Sequence, residues 1–255
     1  MPGQIGKEHR QAVSHFMVKV VVPLLYELPD GRVDQIGICT LFRERQHRLL
    51  ITARHNLEGS HILDRFTVLK NPIRSDLDTL GSFELFKPND PPGRDIDVAV
   101  LRFLDQSTIG QMEAGWHFLT TANTGTAPAQ GIFVLSGYPS ARAKISGQAI
   151  GGSLNTIYTK RITAAPPSAK PPVDADIDLF FHYDKEGIDL EGRAVKTPAL
   201  PGVSGSSVWE YREISGLWPP ENALKVVGIQ TSWIEGDFAR AKIWAYVQHI
   251  IQQLP

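Results

Sequence analysis

A chain of 255 residues is long enough for one large domain or two small ones, each burying its own core. Lys and Arg number 26 against 27 Asp and Glu, a net charge of -1, so the basic surplus that neutralises nucleic-acid phosphates is missing and no nucleic-acid partner is expected. One cysteine, Cys39, excludes an internal disulfide framework and any multi-cysteine zinc site.

In chain order, the amino-terminal stretch MPGQIGKEHRQAVSHF is polar and lacks the apolar run and small-residue cleavage site of a signal peptide. A short helix is possible near residues 6–15. Apolar segments separated by turn residues such as Pro29, Asp30 and Gly31 then predict strands at 18–25, 35–42, 48–53, 66–69 and 98–103. Further strands are expected at 131–137, 179–182, 206–209 and 225–231. The proline-rich stretch AAPPSAKPPVDAD cannot enter a central strand and reads as a surface loop. Helical periodicity is convincing at 238–254, where Ile243, Val247, Ile250 and Ile251 share one side. Many short strands plus one terminal helix predict an all-β sandwich or barrel. The small, polar stretch TTANTGTAPAQ offers the best division of the chain, into 1–125 and 126–255. The apolar runs fall short of the roughly 20 residues that span a bilayer, so a cytoplasmic protein without a membrane partner is expected.

Three local patterns follow one another. The strand Leu49-Leu50-Ile51 ends in Thr52-Ala53 and then presents Arg54-His55-Asn56. Asp95-Ile96-Asp97 opens the apolar run Val98-Ala99-Val100-Leu101. Pro201-Gly202-Val203-Ser204-Gly205-Ser206-Ser207 places a serine in a glycine-flanked turn before another strand. In these three motifs, in the order His, Asp, Ser, the chain resembles the chymotrypsin-like (trypsin-like) serine peptidases. Phe133-Val134-Leu135-Ser136-Gly137-Tyr138-Pro139 is similar to the strand and turn that open the second barrel in bacterial intracellular-type members.

The resemblance implies an all-β fold of two packed antiparallel six-stranded β-barrels with a C-terminal α-helix, the first carrying His55 and Asp97 and the second Ser204. It implies a serine endopeptidase acting on a protein or peptide substrate through an acyl-enzyme, without cofactor or metal. Serine is a weak nucleophile until a base takes its proton, which is the work assigned to His55, while Asp97 fixes the imidazole tautomer. The N–H groups of Gly202 and Ser204 are implied as the oxyanion hole. Asp97 rather than Asp95 stands two residues before Ala99, and Ser204 rather than Ser206 or Ser207 lies between the glycines. Thr231, Ser232 and Trp233 match the strand that pairs with an extended substrate.

Two positions depart from the family pattern. Val203 stands where digestive members carry an aspartate that pairs with a newly cleaved amino terminus, so no maturation of that kind is expected. Pro198 stands near the place where trypsin-type enzymes carry the acid of their specificity pocket, so cleavage after an uncharged, small or apolar residue is expected. Cys39 reads as a small buried hydrophobe rather than a thiol nucleophile. The competing expectation is a peptide-binding or regulatory module that keeps the fold and hydrolyses little.

Overall fold

The computed structural model describes residues 5–58, 63–73, 76–88, 94–140, 144–146, 149–189, 193–213 and 219–255. Helix α1 (Lys7–Val20) leads into β1 (Val22–Glu27), β2 (Val33–Glu44) and β3 (His47–Thr52). After β4 (Phe66–Leu69), β5 (Leu77–Thr79), β6 (Phe83–Phe86) and β7 (Ala99–Phe103) come α2 (Gln106–Gly115) and β8 (Ile132–Gly137). The hairpin β9 (Lys144–Ser146) and β10 (Ala149–Gly151) precedes β11 (Asn155–Thr159), β12 (Arg161–Ile162) and β13 (Asp178–His182). A second hairpin, β14 (Glu186–Ile188) with β15 (Ala194–Lys196), is followed by β16 (Ser207–Tyr211), α3 (Pro220–Ala223), β17 (Leu224–Ile234), β18 (Phe238–Ile243) and α4 (Trp244–Gln252). No helix among the described residues is long and apolar enough to cross a membrane.

The strands make two seven-membered antiparallel sheets, in the orders β5-β4-β1-β2-β3-β7-β6 and β11-β8-β16-β17-β18-β13-β12. In each sheet the first and last strands are neighbours in sequence. β5 and β6 are separated only by residues 80–82, and β11 and β12 only by Lys160. Each sheet therefore bends back until its ends are a few residues apart.

Three apolar cores account for the strand sequences. Leu24, Leu41, Leu50, Phe66, Ala99 and Leu101 fill the first sheet, and Phe133, Leu135, Phe181, Val208, Val227 and Ala241 fill the second. A third core lies between them, where Phe42, Leu49, Ile51 and Val100 of the first sheet meet Val134, Trp209, Val226 and Ile229 of the second. Neighbouring residues of one strand thus face different cores, which is why β3 and β7 read as unbroken apolar runs rather than as alternation. Helices α1 and α4 close this middle core with Val13, Phe16, Met17 and Val20 on one and Trp244, Val247, Ile250 and Ile251 on the other.

Two boundaries differ from the sequence expectation. The strand expected from residue 18 begins at Val22, because α1 runs on to Val20 and buries Val13, Phe16, Met17 and Val20 along one helical stripe. The helix expected over 238–254 starts only at Trp244, because Phe238–Ile243 is strand β18 between β17 and β13. There Asp178 of β13 accepts from Arg240 Nε at 2.8 Å and lies 2.8 Å from Lys242 Nζ, all three buried. Charges that read as the polar side of a helix are paired inside a sheet.

Candidate active site

β3 pairs with β7 so that Thr52 faces Ala99. The chain leaving β3 turns at once into a short 3-10 helix, Arg54–Leu57, and that register sets His55 beside Asp97, two residues ahead of Ala99. The His55 N–H donates to Asp97 Oδ1 at 2.9 Å, and His55 Nδ1 lies 2.7 Å from Asp97 Oδ2. Asp95 is engaged elsewhere, accepting from Arg54 Nη2 at 3.0 Å, while Arg54 Nε lies 3.1 Å from Glu58 Oε1. The His55 imidazole is held above its ordinary pKa, chiefly by the Asp97 hydrogen bond. Burial opposes this, and the charges of Asp97, Glu58 and Asp95 add to it.

The glycine-flanked Ser204 turn lies against the same strands. Gly202 and Gly205 have φ values of +80° and +93°, in the left-handed region that a side chain would strain. Ser206 is buried and its hydroxyl has no partner among the described residues, and Ser207 hydrogen-bonds Thr40 at 2.7 Å. Ser204 alone of the three keeps solvent access. Its Oγ donates to the Thr231 carbonyl at 3.3 Å rather than to the His55 ring. Thr231 is the extra residue of a β-bulge, since Gln230 pairs with Ala241 and Ser232 with Arg240.

The carbonyls of the turn are each pinned. Pro201 O accepts from Ser140 N at 2.9 Å and Ser140 Oγ at 3.1 Å, Gly202 O from Gln35 Nε2 at 2.8 Å, and Val203 O from Ser206 N at 3.1 Å. Ser204 O accepts from Ile38 N at 2.8 Å and Asn56 Nδ2 at 2.9 Å. A trans peptide points its N–H opposite to its C=O. Fixing the Pro201 and Val203 carbonyls therefore directs the Gly202 and Ser204 N–H groups the other way, and among the described residues neither has an acceptor. Val203 N–H is occupied by Leu200 O at 3.0 Å, and the Val203 side chain is buried against Gly137.

β17 pairs with β16 only as far as Ile229, then continues through Thr231, Ser232 and Trp233 paired with β18 on one side. Thr231 is buried, Ser232 exposed and Trp233 half-buried. Pro198 is half-buried and its carbonyl accepts the Tyr183 hydroxyl. The Tyr183 ring meets Trp233 edge-on, with centroids 5.8 Å apart. Pro198 and Trp233, expected in one substrate-binding set, are thus joined through Tyr183, which sequence reasoning did not single out. Gln35, Asn56 and Ser140 were also missed, because no local motif marks a side chain whose partner is a distant carbonyl. Cys39 is fully buried, burial pushes its thiol pKa up, and Sγ donates to Val22 O at 3.4 Å.

No family model and no curated protein matches the chain. A solved structure described as "Aromatic interactions drive the coupled folding and binding of the intrinsically disordered Sesbania mosaic virus VPg protein" superposes with a TM-score of 0.50. It covers 88% of this chain and 87% of the other at 13% identity, a likeness that speaks to the fold alone.

Proposed function

We propose that the chain is a serine endopeptidase of chymotrypsin-like, double-barrel architecture, with residues 1–125 carrying His55 and Asp97 and residues 126–255 carrying Ser204. In this reading β5 with β6, and β11 with β12, are halves of single bent strands, which reduces each sheet to a six-stranded barrel. The observation that carries the function is a doubly held histidine–aspartate pair whose turn is bonded through Asn56 to the Ser204 turn, where two N–H groups have no acceptor among the described residues.

Ser204 would attack the scissile carbonyl after rotating its hydroxyl from Thr231 O toward His55, a tightening expected once substrate enters. His55 takes that proton and returns it to the leaving amine, and Asp97 stabilises the imidazolium between the two steps. The Gly202 and Ser204 N–H groups receive the negative charge that develops on the carbonyl oxygen. One such donor is worth about 2.7–4 kcal/mol in the transition state. An extended peptide would add to the edge of β17 at Thr231, Ser232 and Trp233. The acyl-enzyme is then hydrolysed by water activated in the same way, with no cofactor or metal. A lone buried Cys39 suits a reducing, cytoplasmic setting.

A second reading is favoured by one observation, the Ser204 hydroxyl resting on Thr231 O instead of His55. It describes a peptide-binding module with little hydrolysis. A fluorophosphonate probe separates the two. Labelling of the wild-type protein but not of Ser204→Ala supports the peptidase, and well-folded wild-type protein that stays unlabelled supports the binding module.

A further inference from the structure

Two of the four pinned carbonyls around Ser204 are held by side-chain amides from the first sheet, Gly202 O by Gln35 and Ser204 O by Asn56. Both amides grip the turn through its carbonyls. Gln35 gets there through an irregularity in β2. Leu24 pairs with Gly37 and Leu25 with Gln35, so Ile36 is an extra residue that re-aims its neighbour toward the second sheet. Its Nε2 spans Gly202 O at 2.8 Å and Tyr138 O at 2.5 Å. Both acceptors are carbonyls, so the amide nitrogen must face them.

Asn56 follows His55 in the same 3-10 turn and is buried. Its Nδ2 donates to Ser204 O at 2.9 Å and to Thr52 Oγ1 at 3.0 Å. Thr52 spends its own proton on Ile38 O at 2.7 Å and can only accept from Asn56, which fixes the orientation of that amide too. The room for it comes from Gly37, where an added Cβ would lie 2.1 Å from Asn56 Nδ2. Histidine turn, β2 and nucleophile turn are thereby tied at one point.

We propose that Gln35 and Asn56 are positioning residues for the hydrolysis, holding the Ser204 turn in the shape that aims the Gly202 and Ser204 N–H groups at the oxyanion. The inference rests on the peptidase reading above and deepens it: the two neutral amides brace the peptides that follow Gly202 and Ser204, next to the Ser140 and Ser206 contacts on Pro201 O and Val203 O, so the turn is ordered by groups already present in the folded chain. Interactions that matter mainly for a charge appearing in the transition state change kcat more than KM. A misplacement of about 1 Å costs on the order of 10²-fold in rate.

The test compares wild type, Ser204→Ala, Gln35→Met, Gln35→Lys and Asn56→Leu as full chains, reacted with a fluorophosphonate over a range of probe concentrations. Gln35→Met keeps length and loses the donor, and is expected to lower the maximal labelling rate about 10- to 100-fold while leaving half-saturation within about twofold. Asn56→Leu is expected to act in the same direction. Gln35→Lys, which restores a donor, is expected to recover most of the rate, a rescue that a purely structural role does not predict. Thermal midpoints report folding separately. Gln35→Met labelling at the wild-type rate, or Gln35→Lys no faster than Gln35→Met, overturns the positioning role while the peptidase reading stands. Folded wild type labelled no faster than Ser204→Ala overturns both.

Discussion

Asp97 grips His55 through both carboxylate oxygens, one on the main-chain N–H at 2.9 Å and one on the ring nitrogen Nδ1 at 2.7 Å. The first contact fixes where the histidine sits and the second fixes which tautomer it adopts. Asp97→Asn preserves the shape of the pair while removing its charge and its preference for the productive tautomer. The expected loss in kcat is about 10⁴-fold. It is measured on any ester or peptide the wild type turns over, with circular dichroism showing that the fold survives.

The same pair sets a pH dependence. In the peptidase reading the imidazole must be neutral to take the Ser204 proton, and its pKa is raised by the Asp97 hydrogen bond, with charge from Asp97, Glu58 and Asp95 adding to it. The acidic limb of kcat/KM is therefore expected above the ordinary histidine value. Asp95→Asn, which removes a contributing charge without touching the ring, should move the midpoint of that limb to lower pH. A midpoint that stays fixed or rises contradicts the assignment of His55 as the base. For stability the sign is opposite to that of a paired carboxylate: the His55 contribution is complete below its unfolded pKa and fades as pH rises through the folded one.

Asp178 supports the proline-rich loop from inside the second sheet. It is bonded by Arg240, by the Asp174 N–H at 2.8 Å and by Lys242, while Arg240 reaches out to Lys170 O and Pro172 O. Burial pushes its pKa up, and the hydrogen bonds from Arg240, Asp174 and Lys242 outweigh that and hold it below the usual value. Asp178→Ala leaves two buried cations without their carboxylate and is expected to cost about 3–5 kcal/mol in urea unfolding. In wild type the contribution is present above the unfolded carboxyl pKa and lost as pH falls through the depressed folded value. The substitution should therefore cost less in acid than at neutral pH, and a loss as large or larger in acid is the opposite result.

The three motifs that meet in the candidate site were legible because each is local: a strand end plus histidine, an aspartate plus strand, a serine between glycines. Strands β3, β7, β8, β16 and β17 were legible because burial on two sides writes unbroken apolar runs. Strand β18 was hidden because Ala239 and Ala241 face a core while Arg240 and Lys242 face Asp178, and the charges suggested a helix surface. The period of two in Phe238-Ala239-Arg240-Ala241-Lys242 was the signal that could have revealed it. Helix α2 carried a sign as well, the Asp105 side chain capping Thr108 N at 2.6 Å. The bulges at Ile36 and Thr231 had no such mark, since a register shift depends on the partner strand rather than on local composition.

Gly205 tests how closely the two sheets meet at the nucleophile. Its φ is +93°, and an added Cβ would lie 2.1 Å from Ile38 O, 2.3 Å from Thr52 Oγ1 and 3.0 Å from Ala53 N. Two of those atoms are main chain, Ile38 O in β2 and Ala53 N just before the 3-10 helix that carries His55, so relieving the clash shifts backbone next to His55. Gly205→Ala is expected to abolish fluorophosphonate labelling and to lower the thermal midpoint. Gly187→Ala, whose Cβ would meet only Thr197 Oγ1 at 3.5 Å, is the matched control and should behave as wild type.

In the peptidase reading, the expected substrate preference rests on Pro198, Tyr183 and Trp233. Pro198 leads toward the nucleophile turn, Tyr183 spans from the Pro198 carbonyl to the face of Trp233, and Trp233 lies two residues beyond the Ser204 acceptor Thr231. None of these three side chains carries a charge, so none of them attracts Lys or Arg. Cleavage of a peptide library is expected after small or apolar residues. Trp233→Ala removes one of the two rings and should shift the preference toward larger apolar residues, by about 10-fold or more in relative kcat/KM. Tyr183→Phe, which frees the Pro198 carbonyl and keeps the ring contact, should change selectivity less than Trp233→Ala does. Wild-type cleavage dominated by Arg or Lys would show that a different surface receives the residue before the scissile bond.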